Sequence, residues 1–343
     1  MSRRISEFIL IAVCILSLVL SVKVFSEKPD GSPVINTYEV SGFSTDFTQV
    51  VASCKTAIVR ITVGSDVCGG FVYKNENGVL TIVTCFHGLQ GHDNVNVCLD
   101  NGISGNAVVL GYDPYVDMAV LQMETDYSLS PLSLADSRLL KAGEFLISIG
   151  CTRSLEFSDS VSLGMVSSPL RCVSNSLVYQ NDQREYFSEL IQLSGSYEAG
   201  FSGSPVLNMK GEVAGMVLMK DGDIPFALTA NEISILTECI LNDMPAEKLQ
   251  LGFKGSYLNL MEPYYKSSLS IPLDLVEGIY VESLKSTSLA ASLGIKSGDI
   301  ILAVNGKTIK DFADYLSCVY EAKDFLEITV YRAGEEFVLQ GEI

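Results

Sequence analysis

Basic residues are scarce in this chain of 343 residues, histidine is scarcer still, and tryptophan is absent. There are 23 lysines and arginines against 41 aspartates and glutamates, a formal net charge of −18. The first 26 residues hold Arg3, Arg4 and Lys23 against Glu7 alone, so the remainder sits near −20. Nucleic-acid binding rests on Lys and Arg neutralising phosphates, and so acidic a chain is excluded from that class. The sequence has no C-x-x-C, no H-E-x-x-H, no Walker glycine loop and no G-x-G-x-x-G. Metal and nucleotide chemistry are therefore without support, and no cofactor is expected. Charged residues make up 19% of the chain and apolar residues 48%, which excludes global disorder and allows a substantial core.

With only two histidines, the search for a side chain that takes and returns a proton near neutrality is short. His87 ends the apolar run Val79-Leu-Thr-Ile-Val-Thr-Cys-Phe-His87 and is followed by Gly88. Asp117 comes thirty residues later, directly before the apolar Met118-Ala-Val-Leu121. Ser202 stands in the turn sequence Gly200-Phe-Ser-Gly-Ser-Pro205. His…Asp…Ser is one of the known chain orders of a nucleophilic serine triad. The flanking glycines permit a backbone that exposes the hydroxyl and aims N–H groups of Gly200, Phe201 and Ser202 at a developing oxyanion. Taken singly, each residue has an ordinary alternative as a core histidine, a strand start or a hairpin turn. Taken as a set they predict a serine protease. His92, in Gln90-Gly-His-Asp-Asn94, reads as a surface-loop residue.

Residues 8–22 are almost wholly apolar, preceded by Arg3-Arg4 and followed by Lys23. As a membrane anchor this stretch is on the short side of the roughly 20 residues that span a bilayer. Its flanking charges place the bulk of the chain on the extracytoplasmic, periplasmic side. As a cleaved signal peptide it would release a secreted protein. The poor small-residue signature at Val24-Phe-Ser26 favours the anchor, and export follows either way. Export makes the nine cysteines notable. Most read as small buried hydrophobes, and Cys68 with Cys85, which flank one hairpin, is the pair to examine for a disulfide.

Residues 27–43 read as a Pro- and Gly-containing linker. From residue 44 to 243 short apolar and alternating runs recur between turn signals, among them Asn75-Glu-Asn-Gly78 and Asp100-Asn-Gly102. This pattern predicts an all-β barrel or sandwich, with helix confined to Phe47–Lys55, a short stretch after Ser133, and Asn231–Asn242. Residues 246–343 differ. Strands are predicted near Gly278–Val281, Asp299–Val304 and Leu326–Tyr331, with helices near Ser288–Leu293 and Ile309–Val319, a small mixed α/β module.

Residues 57–235 resemble the trypsin-like protease domain of the HtrA/Deg family, which implies an all-β double β-barrel for this part of the chain. The likeness is carried by Cys68-Gly-Gly-Phe-Val-Tyr73, Thr84-Cys-Phe-His-Gly88, Gly111-Tyr-Asp-Pro-Tyr-Val-Asp117-Met-Ala-Val-Leu and Ala199-Gly-Phe-Ser-Gly-Ser-Pro-Val-Leu-Asn208. The module after them resembles a PDZ domain, with Leu251, Gly252 and Phe253 at the carboxylate-binding turn and Ser288–Ile300 with Val304-Asn-Gly306 as its helix–strand–turn signature. One anchor, one protease domain and one PDZ domain is the layout of DegS-like members.

The resemblance implies an ATP-independent endopeptidase for protein or peptide substrates. It also implies a homotrimer acting in quality control or envelope stress signalling, with C-terminal peptides captured by the PDZ domain. By position, Arg171–Ser188 would be a sensing loop, with Ser196–Phe201 and Lys220–Pro225 as activation loops. Phe226, Ala227 and Leu228 would edge the substrate pocket. Ser196, where a basic-specific relative carries Asp, implies a preference for small apolar side chains. Two positions depart from the family: Phe201 where Asn is usual, and Ser204 where Gly is usual. A bulky Phe201 would obstruct the cleft or hold the oxyanion turn inactive, and the alternative function is a catalytically silent trimeric scaffold.

Overall fold

The computed structural model describes residues 46–89, 91–150, 159–179, 182–198, 200–221, 223–244 and 249–343. Helix α1 (Thr48–Cys54) leads into the first of two closed six-stranded barrels. That barrel comprises β1 (Ile58–Val63), β2 (Asp66–Glu76), β3 (Val79–Thr84), β4 (Asn94–Leu99), β5 (Ser104–Asp113) and β6 (Met118–Glu124), in the order β1-β2-β3-β6-β5-β4. Its local logic is plain in the β2–β3 hairpin. Asn77 and Gly78 take positive φ (55° and 88°), the two-residue Asn-Gly turn whose twist matches antiparallel strands, and Glu76 pairs with Val79.

The second barrel comprises β7 (Phe145–Gly150), β8 (Ser160–Tyr179), β9 (Asp182–Ser194), β10 (Pro205–Leu207), β11 (Val213–Asp221) and β12 (Ile224–Thr229), closed as β10-β11-β12-β9-β8-β7. Helix α2 (Ala230–Leu241) follows, its first turn capped by Thr229 Oγ1, which accepts from Glu232 N–H at 3.3 Å. The all-β architecture expected from the turn spacing is thus present as the double barrel that the family resemblance implies, and helices α1 and α2 lie within a residue or two of their expected positions.

The C-terminal module is a six-stranded sheet of β13 (Phe253–Tyr257), β14 (Ile279–Leu284), β15 (Ile300–Val304), β16 (Lys307–Thr308), β17 (Phe325–Arg332) and β18 (Glu335–Glu342). Helices α3 (Pro263–Ser268), α4 (Leu289–Ser292) and α5 (Phe312–Glu321) cover it. Helix α3 and strand β18 were not anticipated. From Asp46 onward the chain forms one compact unit. A continuous apolar core runs from the first barrel through Ile233, Leu236 and Ile240 of α2 to Tyr315, Leu316 and Val319 of α5. A separate core, including Leu146, Ile191, Tyr197, Phe201 and Ala227, fills the second barrel.

Two expectations change. Arg171–Ser188 is not an open loop: β8 and β9 pair in register from Arg171↔Leu190 to Tyr179↔Asp182. Val173, Leu177, Val178, Tyr179 and the facing Tyr186 and Phe187 are good strand formers, and they extend the ladder into a ribbon. Lys220–Pro225 is likewise mostly strand, with Lys220 paired to Pro225 and Asp221 to Ile224. Cys68 and Cys85 are free thiols, as are the other five described cysteines. Residues 1–26, expected to form an anchor or signal, and Cys151 lie outside the described residues. Among the described residues no helix is long and apolar enough to cross a membrane.

Candidate active site

The two barrels meet where β2 and β3 face the turn before β10; His87 follows β3, Ser202 lies in that turn, and Asp117 comes from the β5–β6 connection. His87 begins a 3-10 turn (His87–Leu89) just beyond β3. Asp117 ends the β5–β6 connection and takes φ +62°, a left-handed backbone uncommon for a residue with a side chain. That backbone lets Asp117 hold His87 at two points and Phe86 at a third. Asp117 Oδ2 lies 2.6 Å from His87 Nδ1, Asp117 Oδ1 accepts from His87 N–H at 2.8 Å, and Asp117 C=O accepts from Phe86 N–H at 3.2 Å. Sparsely populated backbone kept in this way is characteristic of sites that need a fixed geometry.

Electrostatics follow from that hold. Burial works against a charged imidazole, but the hydrogen bond and the charge of Asp117 outweigh it, with a smaller contribution from Cys68. The His87 pKa is therefore raised. Its side chain remains about half exposed at 51%, so protons and substrate can reach it.

Ser202 sits on the second barrel and is tied to the first by Gly69 N–H, which donates to the Ser202 carbonyl at 2.8 Å. Gly203, the next residue, has φ +83° and lies against β2. A Cβ there would stand 2.2 Å from Gly69 O and 2.7 Å from Thr84 Oγ1, so only glycine fits. Ser202 Oγ donates to the Leu218 carbonyl at 3.3 Å, whereas His87 Nε2 lies 3.8 Å from Cys85 Sγ. In this arrangement the Ser202 hydroxyl is engaged by the Leu218 carbonyl. Apo catalytic contacts of this kind are commonly loose.

Of the three candidate oxyanion donors, Phe201 N–H is committed to Glu198 O at 3.1 Å. Among the described residues no hydrogen bond engages Gly200 N–H or Ser202 N–H. Gly200 takes φ +104°, accessible to glycine without strain. The Phe201 ring does not obstruct the cleft. It points into the second barrel, is only 3% exposed, and packs edge-on against Tyr197 with ring centroids 6.0 Å apart. Gly150 makes room for it, since a Cβ there would lie 2.8 Å from the ring. Ser204 fits for the same reason: its Oγ occupies the space that a Cβ on Gly69 or Gly150 would fill, at 2.1 and 2.5 Å.

The remaining candidates divide. Ser196 is exposed on the rim of an open depression lined also by Ser160–Leu163, Glu198 and Phe201, and its carbonyl accepts from Ser162 Oγ. Phe226, Ala227 and Leu228 on β12 are buried and do not line it. Sequence reading missed Ser160–Leu163 as a wall of this depression, although the alternating Ser-Val-Ser-Leu pattern signals one face turned outward. In the C-terminal module, Gly252 takes φ +76° beside Ser288, and the Leu251 carbonyl accepts from Ala290 N–H at 2.8 Å. Phe253 packs on Tyr315, and Tyr257 on Phe312 and Tyr315, so aromatic rings fill the space between β13 and α5. The outer edge of β13 borders a groove whose far wall is Ser168–Cys172 of β8. Among the described residues no group of His, Cys, Asp and Glu is arranged to hold a metal ion.

Residues 68–216 match the trypsin-like peptidase domain family, and residues 280–332 match the PDZ domain family. The chain is 34% identical over 278 residues to the serine protease Do-like HtrA of Lactobacillus helveticus, covering 78% of this chain and 66% of that relative. It is 31% identical over 277 residues to the protein of that name from Bacillus subtilis, covering 78% and 61%. This chain therefore spans about two thirds of the length of such relatives. Among solved structures, the HtrA-type protease AlgW with tripeptide aligns with a TM-score of 0.58 at 21% identity, over 87% of this chain and 96% of that one. At that identity the likeness is one of fold.

Proposed function

Since this chain belongs to the HtrA family of trypsin-like serine proteases, we propose that it is a peptide-regulated endopeptidase acting outside the cytoplasm in protein quality control or envelope stress signalling. The observation that carries the catalytic half is the paired hold of Asp117 on the ring and backbone of His87, with Ser202 on the facing barrel tied to β2 through Gly69 N–H. His87 Nε2 takes the proton of Ser202 Oγ as the oxygen attacks the scissile carbonyl. The N–H groups of Gly200 and Ser202 receive the oxyanion, and His87 returns the proton to the leaving amine. Water then repeats the sequence on the acyl-enzyme. Asp117 keeps the proton on Nδ1, so that Nε2 carries the lone pair.

The groove between β13 and Ser168–Cys172 supports the regulatory half. A peptide adding as a strand to the β13 edge would touch β8, the strand whose other end, Ser160–Leu163, walls the depression beside Ser196 and Phe201. Trimer formation and a membrane anchor at residues 1–26 belong to the same proposal. The test is cleavage of a peptide library with and without hydrophobic C-terminal peptides. Cleavage after small apolar residues, accelerated by those peptides, is expected, and indifference to them would remove the regulatory half. The second reading, a catalytically silent scaffold, draws on the Ser202–Leu218 and Phe201–Glu198 hydrogen bonds. It predicts no cleavage under either condition.

A further inference from the structure

Beneath His87 lies a pair of thiols that peptide hydrolysis does not use. Cys68 of β2 and Cys85, which follows β3, are both buried. Gly88 shows how close they stand: a Cβ on it would lie 2.5 Å from Cys68 Sγ and 3.1 Å from Cys85 Sγ. The two sulfurs thus share one small space left by a missing side chain. Cys85 Sγ also lies 3.8 Å from His87 Nε2, the nitrogen that must receive the serine proton. The thiols perturb one another unequally. The hydrogen bond with Cys85 draws the Cys68 pKa down against the effect of burial, while that same bond and then burial push Cys85 well up. Cys68 is the thiol that ionises more readily, and ionisation controls cysteine nucleophilicity.

The two cysteines also join the halves of the site. Cys68 adjoins Gly69, whose N–H holds the Ser202 carbonyl, and Cys85 stands two residues before His87. We propose that Cys68 and Cys85 form a peroxide-oxidisable dithiol site whose closure to a disulfide frees His87 Nε2 for Ser202. The Cys68 thiolate attacks one oxygen of hydrogen peroxide; an S–O bond forms, the O–O bond breaks, and the departing hydroxide takes a proton and leaves as water. Cys85 Sγ then attacks the sulfenic sulfur. The S–S bond forms as the S–O bond breaks, and hydroxide leaves with the Cys85 proton as a second water. Two electrons pass from the thiols to peroxide, a reagent small enough for a buried pair.

As a thiol, Cys85 holds an S–H beside Nε2 in competition with Ser202, whose hydroxyl is turned to Leu218. As a disulfide it has no proton to offer, and the negative charge of Cys68, which helps to raise His87, is gone. The effect on Ser202 rests on the serine protease reading; the chemistry of the pair does not.

The test uses the full-length protein treated with hydrogen peroxide, then alkylated, digested and analysed by mass spectrometry. A linked Cys68–Cys85 peptide, two hydrogens lighter than the reduced pair and restored by dithiothreitol, is expected. The His87 imidazole is titrated by NMR in parallel; with two histidines in the chain, a His92→Gln variant assigns it. Its midpoint should fall on oxidation in the wild type and stay fixed in Cys68→Ala and Cys85→Ser treated alike. Fluorophosphonate labelling of Ser202 should quicken several-fold on oxidation. The proposal is overturned if both thiols remain alkylatable after peroxide, if they are oxidised without becoming linked, or if the linked protein leaves the His87 midpoint unmoved. A protein inert to fluorophosphonate in both states would instead count against the protease reading, with the mass and titration results still deciding the fate of the pair.

Discussion

At the level of single residues the site depends on Asp117 more than on any other group. It carries the positive φ, and its two contacts with His87 set the ring plane, the tautomer and the pKa of His87. His87 must be neutral to act as base, and Asp117 raises its pKa above the ordinary value of about 6.5. Activity should therefore fall as pH drops through a midpoint above that value. Asp117→Asn removes the charge that favours the imidazolium, so the acid limb of the kcat/KM profile should move to lower pH. The rate should drop by about 10⁴-fold, the loss typical of that change in triads. A limb that stays in place would separate His87 from Asp117. Gly203→Ala should cost about 1–3 kcal/mol by overpacking and abolish activity, because its Cβ meets Gly69 O at 2.2 Å; urea unfolding and a cleavage assay check both.

His87, Asp117 and Ser202 were legible in the sequence because scarcity, an apolar strand and a glycine turn each leave a local mark. The direction of the Phe201 ring was not, since it depends on Gly150, far away in the sequence, and a missing side chain leaves no local signal.

At the scale of elements, apolar and alternating runs between turn signals located most strands of both barrels. The β8–β9 ribbon escaped because its polar residues, from Arg171 to Glu185, look like a loop when read without their partners across the ladder. Strand β18 escaped because most of its residues stay exposed or half-exposed and so show no buried face. One pairing holds the C-terminal sheet to its loop. Arg332 Nε and Nη2 donate to the two Asp299 oxygens at 2.6 and 2.7 Å, and Nη2 also donates to Gly294 O at 2.8 Å. Asp299 is 1% exposed, so Arg332→Ala would strand a buried carboxylate. The expected loss is about 3–5 kcal/mol, read by urea denaturation; a loss below 1 kcal/mol would show that water or Lys296 N–H, which already donates to Asp299, suffices.

At the scale of the whole molecule the sequence suggested two domains, while the structure gives them a common core through α2 and α5. Tyr320 Oη also reaches the buried Glu232 Oε1 at 3.4 Å, and Arg138 meets Asp311 at 3.7 Å. Helices predicted from separate segments carry no sign of which faces will meet, so this union could not be read beforehand. It predicts one cooperative thermal transition for residues 46–343, and two well-separated calorimetric peaks would contradict it.

The central claim, that the barrels bring His87 and Ser202 together as base and nucleophile, is tested most directly by fluorophosphonate labelling of the intact protein. The account predicts covalent modification at Ser202 that vanishes in Ser202→Ala and falls by several orders of magnitude in His87→Ala. A wild-type protein that takes up no label, reduced or oxidised and with or without C-terminal peptides, would contradict it.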